Sequence, residues 1–375
     1  MTGVYIHIPF CDAKCNYCNF VSQVGGDKKE YILALCKEIA VMDAFHNGKV
    51  DTVFFGGGTP STIKPYYMEQ VMNALSRSMT IVPEAEISME ANPGTVTFNT
   101  LKDYKRIGIN RLSFGLQSAN NTELNLLGRI HTYEEFLDSF ASAREAGFSN
   151  INLDLIFGLP NQTVDGFMDT VKKAAALQPE HLSVYALKLE KGTPMYREFH
   201  HSPFMPGEDT EREMYHSAIA FLKDMGYGLY ETSNFAKPGF ECKHNLKYWT
   251  GEPYIGYGVA AHGYYLNGKG AVRTENTADL ETYIKDLNDG IHDAQTKDQL
   301  SPRDMRDEYV MLRLRLAKGI EFLDFKTRFG MDFETEYKDA IEKTVTAGLI
   351  TKDKHGIYPT IRGFDLQNTL ITEFL

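Results

Sequence analysis

Cys11-Asp12-Ala13-Lys14-Cys15-Asn16-Tyr17-Cys18 spaces three thiols as C-x3-C-x2-C. A cubane iron–sulfur cluster has four iron corners, so the triplet supplies three thiolates and leaves one iron without a protein ligand. An open iron can chelate a second molecule, which makes such a site reactive and not only an electron store. Zinc fits less well. Structural zinc sites usually close with four ligands from paired C-x2-C or Cys/His elements, and the remaining cysteines, Cys36 and Cys242, form no second pair. His7 could supply a fourth ligand, but it lies between Ile6 and Ile8 in a strand-like segment and is expected to face packed neighbours. A disulfide suits neither so compact a triplet nor a chain whose first residues, Met1–Tyr5, run straight into a strand pattern without a signal peptide.

Outward from the triplet, strand-type and helix-type segments alternate. Strand candidates are Val4–Ile8, Thr52–Phe55, Ala85–Glu90, Arg111–Gly115, Ile151–Ile156 and His181–Leu187. Between the first two, Ile32, Leu35, Cys36, Ile39 and Met42 recur at helical spacing from about Lys28 to Phe45, which assigns Cys36 to a packed face. Thr132-Tyr133-Glu134-Glu135 is a capping box and Gly147 a helix stop. Further helices are expected after Thr163 and Glu208. The alternation predicts an α/β fold with parallel strands and helices packed outside. Six units fall short of the eight of a closed barrel, so residues 1–235 read as a partial (βα)6 barrel, open along one side. Residues 236–300, rich in aromatics and glycine, read as a cap or connector. Residues 301–375 read as a C-terminal, mainly helical, winged-helix-like domain, with a hairpin around Lys354-His355-Gly356.

The chain has 375 residues and a formal net charge of −11. That size allows a large core and more than one domain, and the charge argues against nucleic-acid binding. Acidic and basic residues nearly balance in 301–375, so the winged-helix pattern predicts a structural or docking role there. No apolar run is long enough to span a bilayer, although docking on a membrane surface stays open. Thiols that hold a cluster must stay reduced, which points to the cytoplasm.

Several residues at strand ends could hold a ligand. Gly56-Gly57-Gly58-Thr59-Pro60 follows the second strand, where glycines let the backbone approach a ligand closely; a tight turn would use the same residues. Glu90 ends the third strand and could accept hydrogen bonds from a ribose or an ammonium group. Gln117 follows the fourth. Asp154 is a charge inside the apolar run Leu153–Ile156, costly unless paired, and Arg129 or a bound cation would pair it. Farther on stands His244-Asn245-Leu246-Lys247-Tyr248-Trp249, which holds the single tryptophan. An imidazole can ligate haem iron and flat rings can pack on a porphyrin. On residue chemistry, Asn245, Tyr248 and Trp249 read best as anchors of a loop over the open barrel side, with His244 hydrogen-bonded. Cys242 and His262 add a thiol and an imidazole whose roles stay open.

The cysteine triplet resembles the signature of the radical S-adenosylmethionine (SAM) superfamily, which implies a [4Fe–4S] cluster on Cys11, Cys15 and Cys18, SAM chelated by the open iron, and an electron donor for the cluster. Tyr5–Cys11, Gly56–Pro60, Glu90–Pro93, Gly115–Gln117, Arg129 and Asp154–Pro160 together resemble the oxygen-independent coproporphyrinogen III oxidase family. Residue by residue, that resemblance implies SAM contacts from Tyr5, Gly57, Gly58, Thr59, Glu90, Gln117, Arg129 and Asp154. The decarboxylases of the family carry a further cysteine where this chain has Phe20, and a long extension before the first cysteine where it has ten residues. The H-N-x-x-Y-W motif instead resembles the haem-chaperone branch, the HemW group. That branch implies haem binding, with His244 as a candidate ligand, and transfer of haem to an acceptor protein. Reductive cleavage of SAM to a 5′-deoxyadenosyl radical is implied for the superfamily. Oxidative decarboxylation of coproporphyrinogen III is the rival expectation, and a structural zinc protein a third.

Overall fold

The computed structural model describes residues 1–41, 48–268, 270–291 and 295–375. Six parallel strands form its frame: β1 (Thr2–Ile8), β2 (Lys49–Gly57), β3 (Thr80–Ala91), β4 (Arg111–Gln117), β5 (Ile151–Phe157) and β6 (His181–Ala186). All six expected strands are present, each longer than or close to its expected span. Helices α1 (Lys28–Val41), α2 (Pro65–Ser78), α3 (Phe98–Ile107), α4 (Tyr133–Glu145) and α5 (Val164–Ala176) make the successive crossovers. After β6 come α6 (Pro194–Phe199) and α7 (Glu208–Asp224). The Thr132 capping box forms, and Thr163 caps α5 through Gly166 N. Helix α1 ends at Val41 within the described residues; Met42 and Phe45 lie outside them. Cys36 packs half-buried against the core, and burial pushes its thiol up to about 11.

Within the segment expected to be a cap or connector, four strands add to the sheet. Short strand β8 (Asn234–Ala236) pairs antiparallel with β6, and β7 (Gly228–Leu229) pairs with β8 beyond it. Helix α8 (Lys243–Thr250) follows, and then β9 (Tyr254–Tyr257), β10 (His262–Leu266), β11 (Ala271–Glu275) and β12 (Gln295–Leu300) extend the opposite edge. The twelve-stranded order is β12-β11-β10-β9-β1-β2-β3-β4-β5-β6-β8-β7. Strand β9 joins β1 in parallel, while β10, β11 and β12 run antiparallel. Buried Glu38 of α1 pins this extension. It accepts from Gly258 N at 2.8 Å, Asn276 Nδ2 at 2.6 Å and Tyr283 OH at 2.5 Å.

Side-chain alternation divides the sheet into two chemistries. Val4, Ile6, Ile8, Val53, Phe55, Ile87, Met89, Leu112, Phe114, Leu153, Leu155, Leu182 and Val184 pack outward against the helices as the main core. The alternate residues, among them Tyr5, Glu86, Glu90, Arg111, Ser113, Asn152, Asp154, His181 and Ser183, face the lumen. A separate core around Val310, Phe325, Phe333, Ile341, Ile357 and Leu370 holds the C-terminal residues. There a three-stranded sheet (Ile320–Glu321, Gly356–Pro359, Ile350–Lys352) sits with helices, as the winged-helix pattern requires.

Candidate site at the mouth of the barrel

The cysteine loop leaves the C-terminal end of β1, where Phe10–Cys11 pairs with Gln23–Val24. The glycine loop after β2 wraps this segment: Gly58 N donates to Ile8 O and Thr59 N to Phe10 O, both at 2.7 Å. A Cβ on Gly58 would meet Phe10 O at 2.7 Å, and Gly57 takes φ +112 with its missing Cβ only 2.6 Å from the His7 ring. The glycines are thus required by the approach of two loops. His7 behaves as expected of a packed residue. Its Nε2 meets Val21 O at 2.8 Å and its Nδ1 meets Tyr5 OH at 3.1 Å.

Hydrogen-bond donors converge on the sulfurs. Thr59 Oγ1 donates to Cys11 Sγ at 3.6 Å, and Arg129 Nη1 donates to Cys15 Sγ at 3.4 Å. Burial pushes the Cys18 thiol up, and the neighbouring Cys15 and Cys11 push it further. Cys18 thus feels the charge of both other sulfurs as thiolates, a repulsion that a cationic cluster core and the Arg129 charge beside Cys15 would offset. Among the described residues no three His, Cys, Asp or Glu side chains converge tightly enough for a single metal ion. A cubane asks for something different, three thiolates each on its own iron. The donor set fits that group.

Arg129 joins the loop to the barrel. Its Nη2 donates to Asn92 Oδ1 at 2.6 Å and to Gly115 O at 2.8 Å, and Asn92 Nδ2 donates to Thr59 Oγ1 at 2.8 Å. Asn92, two residues beyond Glu90, is the hub that the sequence reading missed, although Glu90-Ala91-Asn92 alternates as a strand end should. The expected Asp154–Arg129 pair does not form. Asp154 Oδ1 accepts from Asn152 Nδ2 at 2.8 Å and its Oδ2 from Ser113 Oγ at 3.3 Å. It lies mid-strand, deeper than the other candidates, and burial raises its pKa.

Glu90 accepts from Gly57 N at 3.1 Å. Burial pushes its carboxyl up to about 8, with Asp154 adding to the shift; Gly57 N–H and Arg111 oppose it. Tyr5 stands beneath the glycine loop, stacked on Phe54 with centroids 6.3 Å apart. Gln117 ends β4 in the left-handed region at φ +67. Tyr5, Gly57, Glu90 and Asp154 thus line one side-chain wall of the lumen, and Thr59, Gln117 and Arg129 ring its mouth by the cysteines.

The H-N-x-x-Y-W helix α8 lies at the opposite end of the strands. His244 is buried; its Nδ1 meets Thr52 Oγ1 at 2.9 Å and its Nε2 meets Tyr248 OH at 2.8 Å. Burial, Lys247 and Arg111 push it down to about 3. Neither ring nitrogen is open to a haem iron in this arrangement. Cys242 is buried, its Sγ donating to Glu86 Oε1 at 3.5 Å. Trp249 lies under the Arg315 guanidinium at 5.8 Å, and Arg328 Nη1 donates to Thr250 O at 3.0 Å. The motif therefore ties the barrel floor to the C-terminal core. His262 is exposed and faces Glu275 across the ladder, 3.5 Å from Oε1.

Residues 5–174 match the model of the Radical SAM superfamily, and residues 300–366 that of the HemN C-terminal domain. The chain is 34% identical to "Heme chaperone HemW" of Bacillus subtilis over all of its own length and 99% of that protein. It is 33% identical to "Heme chaperone HemW" of Escherichia coli, over all of this chain and 98% of the other. The solved coproporphyrinogen III oxidase (HemN) of Escherichia coli superposes with a TM-score of 0.85 at 24% identity, covering all of this chain and 89% of that one, and so shares the fold. The chain belongs to the HemW family of the radical SAM superfamily.

Proposed function

We propose that this protein is a haem chaperone, which binds haem and passes it to an acceptor protein while carrying a [4Fe–4S] cluster and SAM. What supports the reading is the likeness over the full chain to proteins named haem chaperones, together with Phe20, where the rival decarboxylases carry a further cysteine. In this reading Cys11, Cys15 and Cys18 hold the cluster. Tyr5, the Gly57–Thr59 loop, Glu90, Gln117, Arg129 and Asp154 contact SAM. With both groups held by these residues, the chemistry supplied would be one-electron reduction of the SAM sulfonium, the electron coming from an external donor. The chain's own part is electrostatic. Arg129 holds a fixed positive charge against the Cys15 sulfur. Glu90 keeps a proton through neutral pH unless a ligand donor takes its place, since its carboxyl is pushed up to about 8. No helix among the described residues is long and apolar enough to cross a membrane; a cytoplasmic setting, an electron donor and surface docking at a membrane belong to the same proposal.

The test is haem titration of the purified protein, followed by mixing the loaded protein with an apo-haem protein such as apomyoglobin. The reading expects saturable binding and transfer faster than from free haem. Absence of saturable binding refutes it. Formation of protoporphyrinogen from coproporphyrinogen III, with SAM and a reductant, would favour the decarboxylase instead.

A further inference from the structure

With both nitrogens of His244 engaged, a haem ligand must come from elsewhere. We propose that His200 is the axial ligand to haem iron, and that haem lies on the exposed face formed by α6 and the turn after it, beside the cysteine loop. This rests on the haem-chaperone reading and names its binding site.

A metal-ligating imidazole usually donates its other N–H to a carbonyl or carboxylate, which fixes tautomer and ring direction. His200 has that arrangement. Its Nδ1 meets Tyr196 O at 2.7 Å, and a carbonyl only accepts, so the proton sits on Nδ1 and the lone pair on Nε2. The ring is also held in place, stacked on Tyr196 at 4.3 Å and 12° and flanked by His201 at 3.9 Å. Six of the other described imidazoles are buried or face a carboxylate. His7, His131, His181 and His244 are buried. His216 meets Asp365 at 2.9 Å and His262 meets Glu275 at 3.5 Å. Of the described imidazoles left exposed, His200 alone has one nitrogen fixed by a carbonyl.

The surroundings suit an amphipathic macrocycle. Phe204 is 57% exposed in a tight turn, where Ser202 N donates to Phe199 O and Met205 N to Ser202 O; a bare aromatic ring there offers a face to a porphyrin. Arg197 precedes His200 by three residues, so both lie on one helix face. Its exposed guanidinium has no ion pair among the described residues and can take a propionate. The helix is anchored where the cluster would sit. Met195 N donates to Asn16 O at 3.0 Å, between Cys15 and Cys18, and Met195 and Phe199 share an apolar cluster with Tyr17. His200 is then about 7.5 Å along the axis from that anchor. A surface iron held from one side leaves its other axial position to solvent, which suits a ligand meant to be handed on.

The test titrates ferric haem into wild type, His200→Ala, His201→Ala, His244→Gln and the exposed control His355→Ala, each first confirmed by circular dichroism to be folded at the titration temperature. The Soret spectrum and affinity are read with and without added imidazole. His200→Ala is expected to lose the imidazole-ligated spectrum and about tenfold or more in affinity, with the spectrum restored by free imidazole. His201→Ala and His355→Ala keep the ligated spectrum. A wild-type spectrum and affinity in His200→Ala overturns the assignment, as does loss confined to His201→Ala or His244→Gln. If wild type itself binds no haem, the chaperone reading falls, and this site with it.

Discussion

Replacing Glu90 by Gln should make the ligand-free protein more stable. The carboxyl faces the lumen among Tyr5, Gly57 and Asp154, and burial holds its pKa at about 8, against 4.5 in the unfolded chain. A carboxyl raised on folding binds its proton more tightly in the native state. Between those two values the unfolded chain loses a proton that the native protein keeps, so stability falls as pH rises. Taken at face value, the difference costs roughly 3 kcal/mol at pH 7 and just under about 1 kcal/mol at pH 5. Glu90 is half-buried at the lumen wall, so water screens part of this, leaving a gain of about 1–3 kcal/mol at pH 7. Glutamine is nearly isosteric and its Oε1 can still accept from Gly57 N, so little else is lost. Urea midpoints of wild type and Glu90→Gln, in the same cluster state, should separate at pH 7 and draw together toward pH 5. The same variant should bind SAM more weakly, as expected where a carboxylate is kept for a ligand at the expense of stability. A variant no more stable at pH 7, or a gain that does not shrink in acid, would refute the reasoning.

Gly57→Ala places a Cβ on the His7 ring at a backbone φ of +112; it should cost about 2–4 kcal/mol and lower the melting temperature even without cofactors. His244→Ala loses the bonds to Thr52 and Tyr248 and should cost roughly 2–4 kcal/mol, while haem affinity in the folded fraction stays within about twofold. Because the folded imidazole titrates near 3 and the unfolded one near 6.5, wild type should lose stability as pH falls through that window, and this part of the acid response should vanish in the variant. Arg315→Ala removes the cation over Trp249 and should cost about 0.5–1 kcal/mol, read as easier proteolysis between the barrel and the C-terminal core. Arg129→Lys keeps the charge but cannot span Cys15, Asn92 and Gly115 together, so iron retention should fall under aerobic dialysis.

Much of the barrel was legible because its strands carry two signals at once. Apolar residues at alternate strand positions and helical spacing between strands mark the six βα units, and capping residues such as Thr132 and Thr163 mark helix starts. The cysteine triplet and the candidates at strand ends were readable for the same reason, since a loop after a parallel strand falls at the mouth. Lateral order was not. The short strands from Tyr254 to Leu300 mix tyrosine, glycine and charge, so nothing in them says that they add to the free edge of β1 and not to a cap. Partner choice was hidden too. Asp154 and Arg129 looked complementary, yet alternation puts Asn152 and Ser113 beside Asp154, and the strand-end Asn92 meets Arg129 first. The H-N-x-x-Y-W sequence shows that His244 can bind iron, and only the folded packing, with Thr52 on Nδ1 and Tyr248 on Nε2, shows both ring nitrogens engaged.

The central claim is that one iron is left without a side-chain ligand, beside a lumen able to receive SAM. Electron paramagnetic resonance of the reduced, anaerobically reconstituted protein tests it most directly. The account predicts a [4Fe–4S] signal that shifts when SAM is added and that is lost in Cys11→Ala, Cys15→Ala and Cys18→Ala. A signal indifferent to SAM, from a metal centre coordinated entirely by the protein, would contradict it.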